Sequence, residues 1–164
     1  MTRLRVPGLL IVLLALLTAG AFVAGCGGDD KKSDEADFST EFKTINDRIL
    51  DLGEQVGQAV SNAANSTDEE LSRQFGTFAD QLQEQRDALD GLEPPPESQK
   101  ATDDLSAAMD RVIGDLKAIS NAAGSNNPAG AQAATRALVR NSPALRDARR
   151  TLARQTGATV DRQS

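Results

Sequence analysis

Few residues in this chain are able to carry out chemistry. Cys26 is the single cysteine, and histidine, tryptophan and tyrosine are all absent. Without histidine the commonest general acid–base group is missing, and the triads and di-iron motifs that contain it are excluded. The carboxylate pairs Glu69-Glu70 and Asp103-Asp104 lie where helices are expected to begin, and acids there are favoured by the helix dipole. The composition therefore predicts a protein that is not an enzyme and holds no metal or cofactor.

Cys26 closes an N-terminal segment that has three parts. Arg3 and Arg5 form a short basic region, an apolar run covers residues 9–17, and small residues then lead to the cysteine. The apolar run is shorter than the roughly 20 residues that an upright membrane span requires. This order of parts is typical of a secretory signal. We expect residues 1–25 to be a signal peptide.

The sequence Val23-Ala24-Gly25-Cys26 resembles the lipobox of bacterial lipoproteins, in which an apolar residue and two small residues precede a cysteine. The resemblance implies transfer of a diacylglyceryl group to the Cys26 thiol and cleavage between Gly25 and Cys26. Two acyl chains are enough for stable attachment to a lipid bilayer. The mature protein is then expected on the extracytoplasmic side of the cell membrane. The alternative is an ordinary anchor or secretory signal with a chance cysteine.

Residues 26–37 are rich in glycine and charge and show no apolar periodicity. Such a composition predicts a flexible acidic tether, lipidated at Cys26. From Phe38 onward, apolar residues recur at alternating steps of three and four, which is typical of amphipathic helices. The first helix is predicted to begin at Phe38 and to end near Asn65. Its apolar positions are Phe38, Phe42, Ile45, Ile49, Leu52, Val56, Ala59 and Ala63.

A capping box predicts where the second helix begins, either Ser66 with Glu69 or Thr67 with Glu70. Its apolar face is interrupted by Gln85, which is interpreted either as a contact inside a ligand cavity or as a register-fixing, partly exposed polar residue. Gly91 is predicted to adopt the left-handed conformation that commonly follows a helix. The apolar positions of this helix are Leu71, Phe75, Phe78, Leu82, Leu89 and Leu92.

The third helix is predicted to start around Pro96 or Glu97 and to end at Gly124. Asn127-Pro128 is an N-cap followed by a first-turn proline, so a fourth helix is expected to begin there and to stop at Gly157. Pro143 lies inside the fourth helix, but the apolar phase continues past it, which favours one kinked helix over two helices.

Four helices of similar length with short connections predict an all-α, antiparallel up-down four-helix bundle over residues 38–157. Residues 158–164 are expected to be a disordered tail. A pair of extended coiled-coil hairpins is the alternative. Gly53 and Gly57, four residues apart in the first helix, are predicted to let a neighbouring helix approach closely.

The C-terminal segment is basic, because residues 129–164 contain seven arginines and two aspartates in a chain of net charge −6. One interpretation is a patch for an anionic partner such as lipid headgroups, a wall polymer or an acidic envelope protein. Internal neutralisation by the acidic helices is the simpler interpretation. Nucleic acid is not expected, since stacking aromatic residues are lacking. The candidate patch consists of Arg136, Arg140, Arg146, Arg149, Arg150 and Arg154.

The part of the chain after Cys26 also resembles small uncharacterised helical lipoproteins of Gram-positive bacteria, in its acidic tether, amphipathic helix and Leu92-Glu93-Pro94-Pro95 turn. That resemblance implies no activity. The expected function is a non-enzymatic interaction or scaffold domain anchored to the membrane. The alternative is a module that binds a small apolar ligand within the bundle. A central cavity of about 300 Å³ or more would favour the alternative, and its expected lining is Phe42, Phe75, Phe78 and Met109.

Overall fold

The computed structural model describes residues 29–158, with side chains from residue 35 onward. These residues form helices α1 (Asp29–Asn62), α2 (Asp68–Asp90), α3 (Gln99–Gly124) and α4 (Pro128–Gln155), with a 3-10 turn (Ala63–Asn65) after α1 and no strand. Short connections make consecutive helices antiparallel. One apolar core takes residues from all four helices. The predicted four-helix bundle is therefore confirmed.

Helix α3 lies at the centre of the packing. Its apolar face is fully buried at Leu105, Met109 and Leu116, and it packs closely along both α2 and α4. Helix α1 packs mainly on α2 and meets α4 at only a few positions. The bundle is therefore tight around α3 and looser between its first and last helices.

Helix α1 begins nine residues before Phe38, so residues 29–37 are helical where a flexible tether was predicted. The apolar pattern did not indicate these turns because Glu35, Ala36 and Asp37 are exposed. The segment contains neither proline nor glycine, and lengthening an existing helix needs no new nucleus. Residues 26–28 lie outside the described part of the chain.

The start of α2 confirms the second of the two capping boxes. The Glu70 backbone N–H donates to Thr67 Oγ1 at 3.2 Å, and the Thr67 N–H donates to Glu70 Oε2 at 2.9 Å. The hydrogen bond from the Thr67 backbone lowers the pKa of the Glu70 carboxyl. The side chain of Ser66 contributes only a long contact of 3.5 Å, from Oγ to the Asn62 carbonyl.

Two predictions about the connection between α2 and α3 are wrong. Gly91 has a φ of −78°, in the right-handed region, because its N–H simply continues the helical bonding to the Asp87 carbonyl at 3.1 Å. Helix α3 begins at Gln99, not at Pro96 or Glu97. A turn precedes it, in which the Ser98 N–H donates to the Pro95 carbonyl at 2.8 Å.

The ends of α4 largely agree with those predicted from the sequence. Asn127 Oδ1 accepts a hydrogen bond from the Gly130 N–H at 3.0 Å, and α4 continues as one helix through Pro143. Gly157, two residues beyond the helix end, has a φ of +67°. This left-handed turn brings Ala158 onto the core, where it is 4% exposed. Ala158 was predicted to belong to the disordered tail, and residues 159–164 lie outside the described range.

The close approach predicted at Gly53 and Gly57 does not occur, since a Cβ atom at either position would meet nothing within 4 Å. Glycine instead permits close packing between α2 and α3. A Cβ atom at Gly76 would lie 3.2 Å from Ser120 Oγ, and one at Gly124 would lie 2.9 Å from Ser72 Oγ. These two glycines occur near the middle of α2 and the end of α3.

We expect Thr67→Ala to lower the free energy of unfolding by about 1 kcal/mol, because it removes the side-chain acceptor at the start of α2. Ser66→Ala is the matched control and should have a smaller effect, since its hydroxyl makes only a long contact of 3.5 Å, to the Asn62 carbonyl. Urea unfolding followed by far-UV circular dichroism measures both changes. Equal losses in the two variants would contradict this assignment of the cap.

Candidate functional site

A cleft with a volume of about 390 Å³ lies between α1 and α4 at mid-length of the bundle. Its floor is formed by Leu82 of α2 and by Val112 and Leu116 of α3, and its walls belong to α1 and α4. Most of the lining is apolar. The α1 wall contains Ile49, Leu50, Leu52, Gly53, Glu54 and Val56, and the α4 wall contains Leu138, Ser142, Leu145, Arg146, Arg149 and Arg150.

The cleft exists because small side chains lie at the positions where α1 and α4 face each other. Gly53 has no side chain to extend towards α4, and nothing fills the space that its Cβ atom would occupy. Helix α4 presents Ser142 on its facing wall and depends on alanine for much of its apolar face. Because these residues cannot bridge the gap, the α1–α4 seam remains open while the seams around α3 are closed.

Arg149 is the most unusual residue of the cleft. It is 6% exposed, and its Nη1 donates to Oδ1 of Asn46, itself 1% exposed, at 2.9 Å. No carboxylate of the described residues lies within ion-pair distance of it. Burial lowers the pKa of the Arg149 guanidinium, and the charge of Arg150 lowers it further, while Asp47 raises it from a longer distance. A buried cation is thus held by a neutral amide.

Two further arginines lie at the same end of the cleft as Arg149. Arg146 and Arg150 lie within one helical turn of Arg149 and are exposed at the rim. Glu54 is the one carboxylate in the lining; it is exposed on the α1 edge and makes no ion pair with these arginines in the described structure. The cleft therefore has a cationic end near Asn46 and an apolar end near Val56 and Leu138.

The six predicted arginines do not form one patch. Arg149 points inward, while the other five are exposed. Arg146 forms an ion pair with Asp147, its neighbour in α4, at 3.5 Å. Arg136 and Arg140 flank Val139, a large apolar side chain that is 62% exposed.

Cys26, the predicted lipidation site, lies outside the described residues. The four residues named as the lining of a central cavity are all buried in the closed core, between 0% and 5% exposed. They are Phe42, Phe75, Phe78 and Met109. The open volume is displaced from them towards α4. Gln85 is 7% exposed, and its Oε1 has no hydrogen-bond partner; it borders a separate recess between α1 and α2.

Sequence reasoning did not single out Asn46. A signal was present, because Asn46 is four residues after Phe42 and three before Ile49, which places it on the buried face of α1. A polar side chain at such a position needs a buried partner, and Arg149 is that partner.

The described residues contain no group of three or more His, Cys, Asp or Glu side chains that could hold a metal ion. None of the four described helices combines the length and the apolar character needed to cross a membrane.

We expect Asn46→Leu to lower the free energy of unfolding by about 1–3 kcal/mol, because the buried guanidinium loses its bonded partner. Adding Arg149→Met should recover part of that loss, since an apolar side chain replaces the unpaired charge. Urea unfolding of the parent, both single variants and the double variant measures the coupling. A double variant less stable than Asn46→Leu would contradict this account, because Arg149 would then stabilise the bundle without Asn46.

Comparisons of the chain with protein families, with curated proteins and with solved structures found no match, so the interpretation of this cleft depends on its own geometry.

Proposed function

We propose that this chain is a lipid-anchored, extracytoplasmic and non-enzymatic domain that binds a small apolar molecule between α1 and α4. The observation that carries the binding function is the apolar cleft of about 390 Å³. Ligand sites in proteins are typically concave, about 300–1,000 Å³ in volume and mostly apolar, with a few polar groups. The cleft has each of these properties.

The volume limits the size of the ligand. At the roughly 30 Å³ that a water molecule occupies in the liquid, 390 Å³ accommodates on the order of a dozen heavy atoms. The length from Asn46 to Val56 along α1 is about 15 Å at the helical rise of about 1.5 Å per residue. A slender molecule with one chain fits these dimensions, whereas a two-chain phospholipid is too large.

Attachment to the membrane through acylated Cys26 is the second part of the proposal, and the lipobox sequence supports it. Helix α1 begins at Asp29, only three residues after Cys26. In the proposed mature protein, α1 therefore connects the anchor with one wall of the cleft. An anchored domain of this kind samples the apolar molecules of the envelope close to the bilayer.

An interaction domain is the second candidate function, and the exposed side chain of Val139 between Arg136 and Arg140 favours it. An acidic envelope protein or an anionic wall or lipid surface would complement this patch. The patch lies on α4 away from the cleft, so variants of the cleft separate the two functions.

We expect mass spectrometry of the membrane fraction to find a mature chain that begins at Cys26 with a diacylglyceryl thioether. Cys26→Ser should leave the chain uncleaved, because the hydroxyl does not replace the thiol as the acylated group. Gly28→Ala, just beyond the cleavage site, is the control and should be processed normally. An intact Met1 or a free Cys26 thiol in the parent protein would overturn the anchor.

We expect Gly53→Leu to weaken binding of 1-decanol by at least about tenfold, since the new side chain occupies the cleft. Gly57→Leu is a matched control, because Gly57 is one turn further along α1, is equally uncrowded and does not line the cleft. Native mass spectrometry of the full chain in a non-ionic detergent counts the bound probe. Equal binding by the two variants would place the site elsewhere. Failure of the parent to bind any probe with a ten-carbon chain would refute the proposed function.

A further inference from the structure

At the cationic end of the cleft, the attraction of Asp47 offsets only part of the free-energy cost of burying the Arg149 guanidinium. Arg149 is 6% exposed and its only hydrogen-bond partner is the neutral side chain of Asn46. Burying a charge is expensive unless an opposite charge accompanies it. An anion bound in the cleft would supply the missing charge at the position where the guanidinium lies.

The geometry of Arg149 leaves donors available to such an anion. A guanidinium has five N–H donors, and a single hydrogen bond, from Nη1 to Asn46, is formed in the described structure. The bond to Asn46 restricts the orientation of the group. A guanidinium suits a planar carboxylate, which it binds with two parallel hydrogen bonds.

The remainder of the cleft suits an apolar chain that extends from a carboxylate bound at Arg149. Leu138 and Arg149 are eleven residues apart in α4, which separates the two ends by about 16 Å. Between them lie the side chains of Ile49, Leu116 and Leu145. Arg146 and Arg150 at the rim add positive charge at the head end only.

We infer that the ligand of the cleft is a medium-chain fatty acid, whose carboxylate binds Arg149 and whose hydrocarbon chain lies towards Val56 and Leu138. This inference rests on the proposed function of the cleft and adds the chemical class of the ligand. A fatty acid of about ten carbons has about a dozen heavy atoms, which is the number that the volume accommodates. Arg149 acts as the residue that selects a carboxylate over a neutral head.

The test compares decanoate with 1-decanol, which have the same chain and differ in the charge of the head. The full chain is incubated with each probe in a non-ionic detergent, and native mass spectrometry measures the bound fraction. We expect decanoate to bind about 10- to 100-fold more tightly, the range expected of a charge-assisted hydrogen bond. Equal affinity for the two probes would overturn the inference and leave the proposed function intact. Failure of both probes to bind would overturn both.

Variants of the chain test whether Arg149 causes the preference for decanoate over 1-decanol. Arg149→Met should abolish the preference for decanoate over 1-decanol, and Arg149→Lys should retain part of that preference. Arg154→Met removes an exposed arginine outside the cleft and is the matched control. The same preference in the Arg149→Met and Arg154→Met proteins would contradict the role of Arg149. A complex of two chains that excludes both probes would identify a second copy as the occupant and overturn the inference.

The comparison of decanoate with 1-decanol on the parent chain requires no variant. It therefore tests the preference of the cleft for a carboxylate even if Arg149→Met does not fold. Far-UV circular dichroism of each variant shows whether the helices are retained. A purely structural role of Arg149 would change the stability of the bundle and leave the ratio of the two affinities unaltered.

Discussion

The packing of α3 against both α2 and α4 is the interaction on which the other features of this bundle depend. Leu105, Met109 and Leu116 are fully buried on that helix, and Gly76 and Gly124 allow α2 to lie close against it. Helix α1 completes the core with Phe42, Ile45 and Ile49, each at most 5% exposed, although it meets α4 at only a few positions. The open seam between α1 and α4 follows from this uneven packing.

Much of the bundle could be predicted from periodicity and capping residues. Thr67 and Asn127 cap α2 and α4 through local side-chain hydrogen bonds that depend on residues three positions away. The start of α1 could not be predicted in this way, because residues 29–37 contain a single apolar residue, Ala36, and so leave no apolar pattern. Gly91 was misassigned since glycine permits a left-handed conformation without requiring it.

The candidate site was predictable only in part. The basic character of α4 was evident, but the sequence could not show that Arg149 points inward while Arg150 beside it is exposed, because that depends on how α4 is rotated against α1. The cleft was expected around Phe42 and Met109, where large side chains are found. It lies instead beside Gly53, because a cavity forms where side chains are missing, and periodic patterns record only those that are present.

The hydrogen bond from Ser39 Oγ to the Thr156 carbonyl, at 2.8 Å, joins the first and last helices at one end of the bundle, and the turn after Asn62 joins α1 to α2 at the other. Between these two attachments, exposed residues border the opening on both sides, Gly53 and Glu54 on α1 and Ser142 on α4. The opening is thus a lateral slot rather than an axial channel. A bound molecule can leave sideways along the whole length of the cleft, without passing through a narrow opening at one end. Its exchange can therefore be fast even when it is well enclosed.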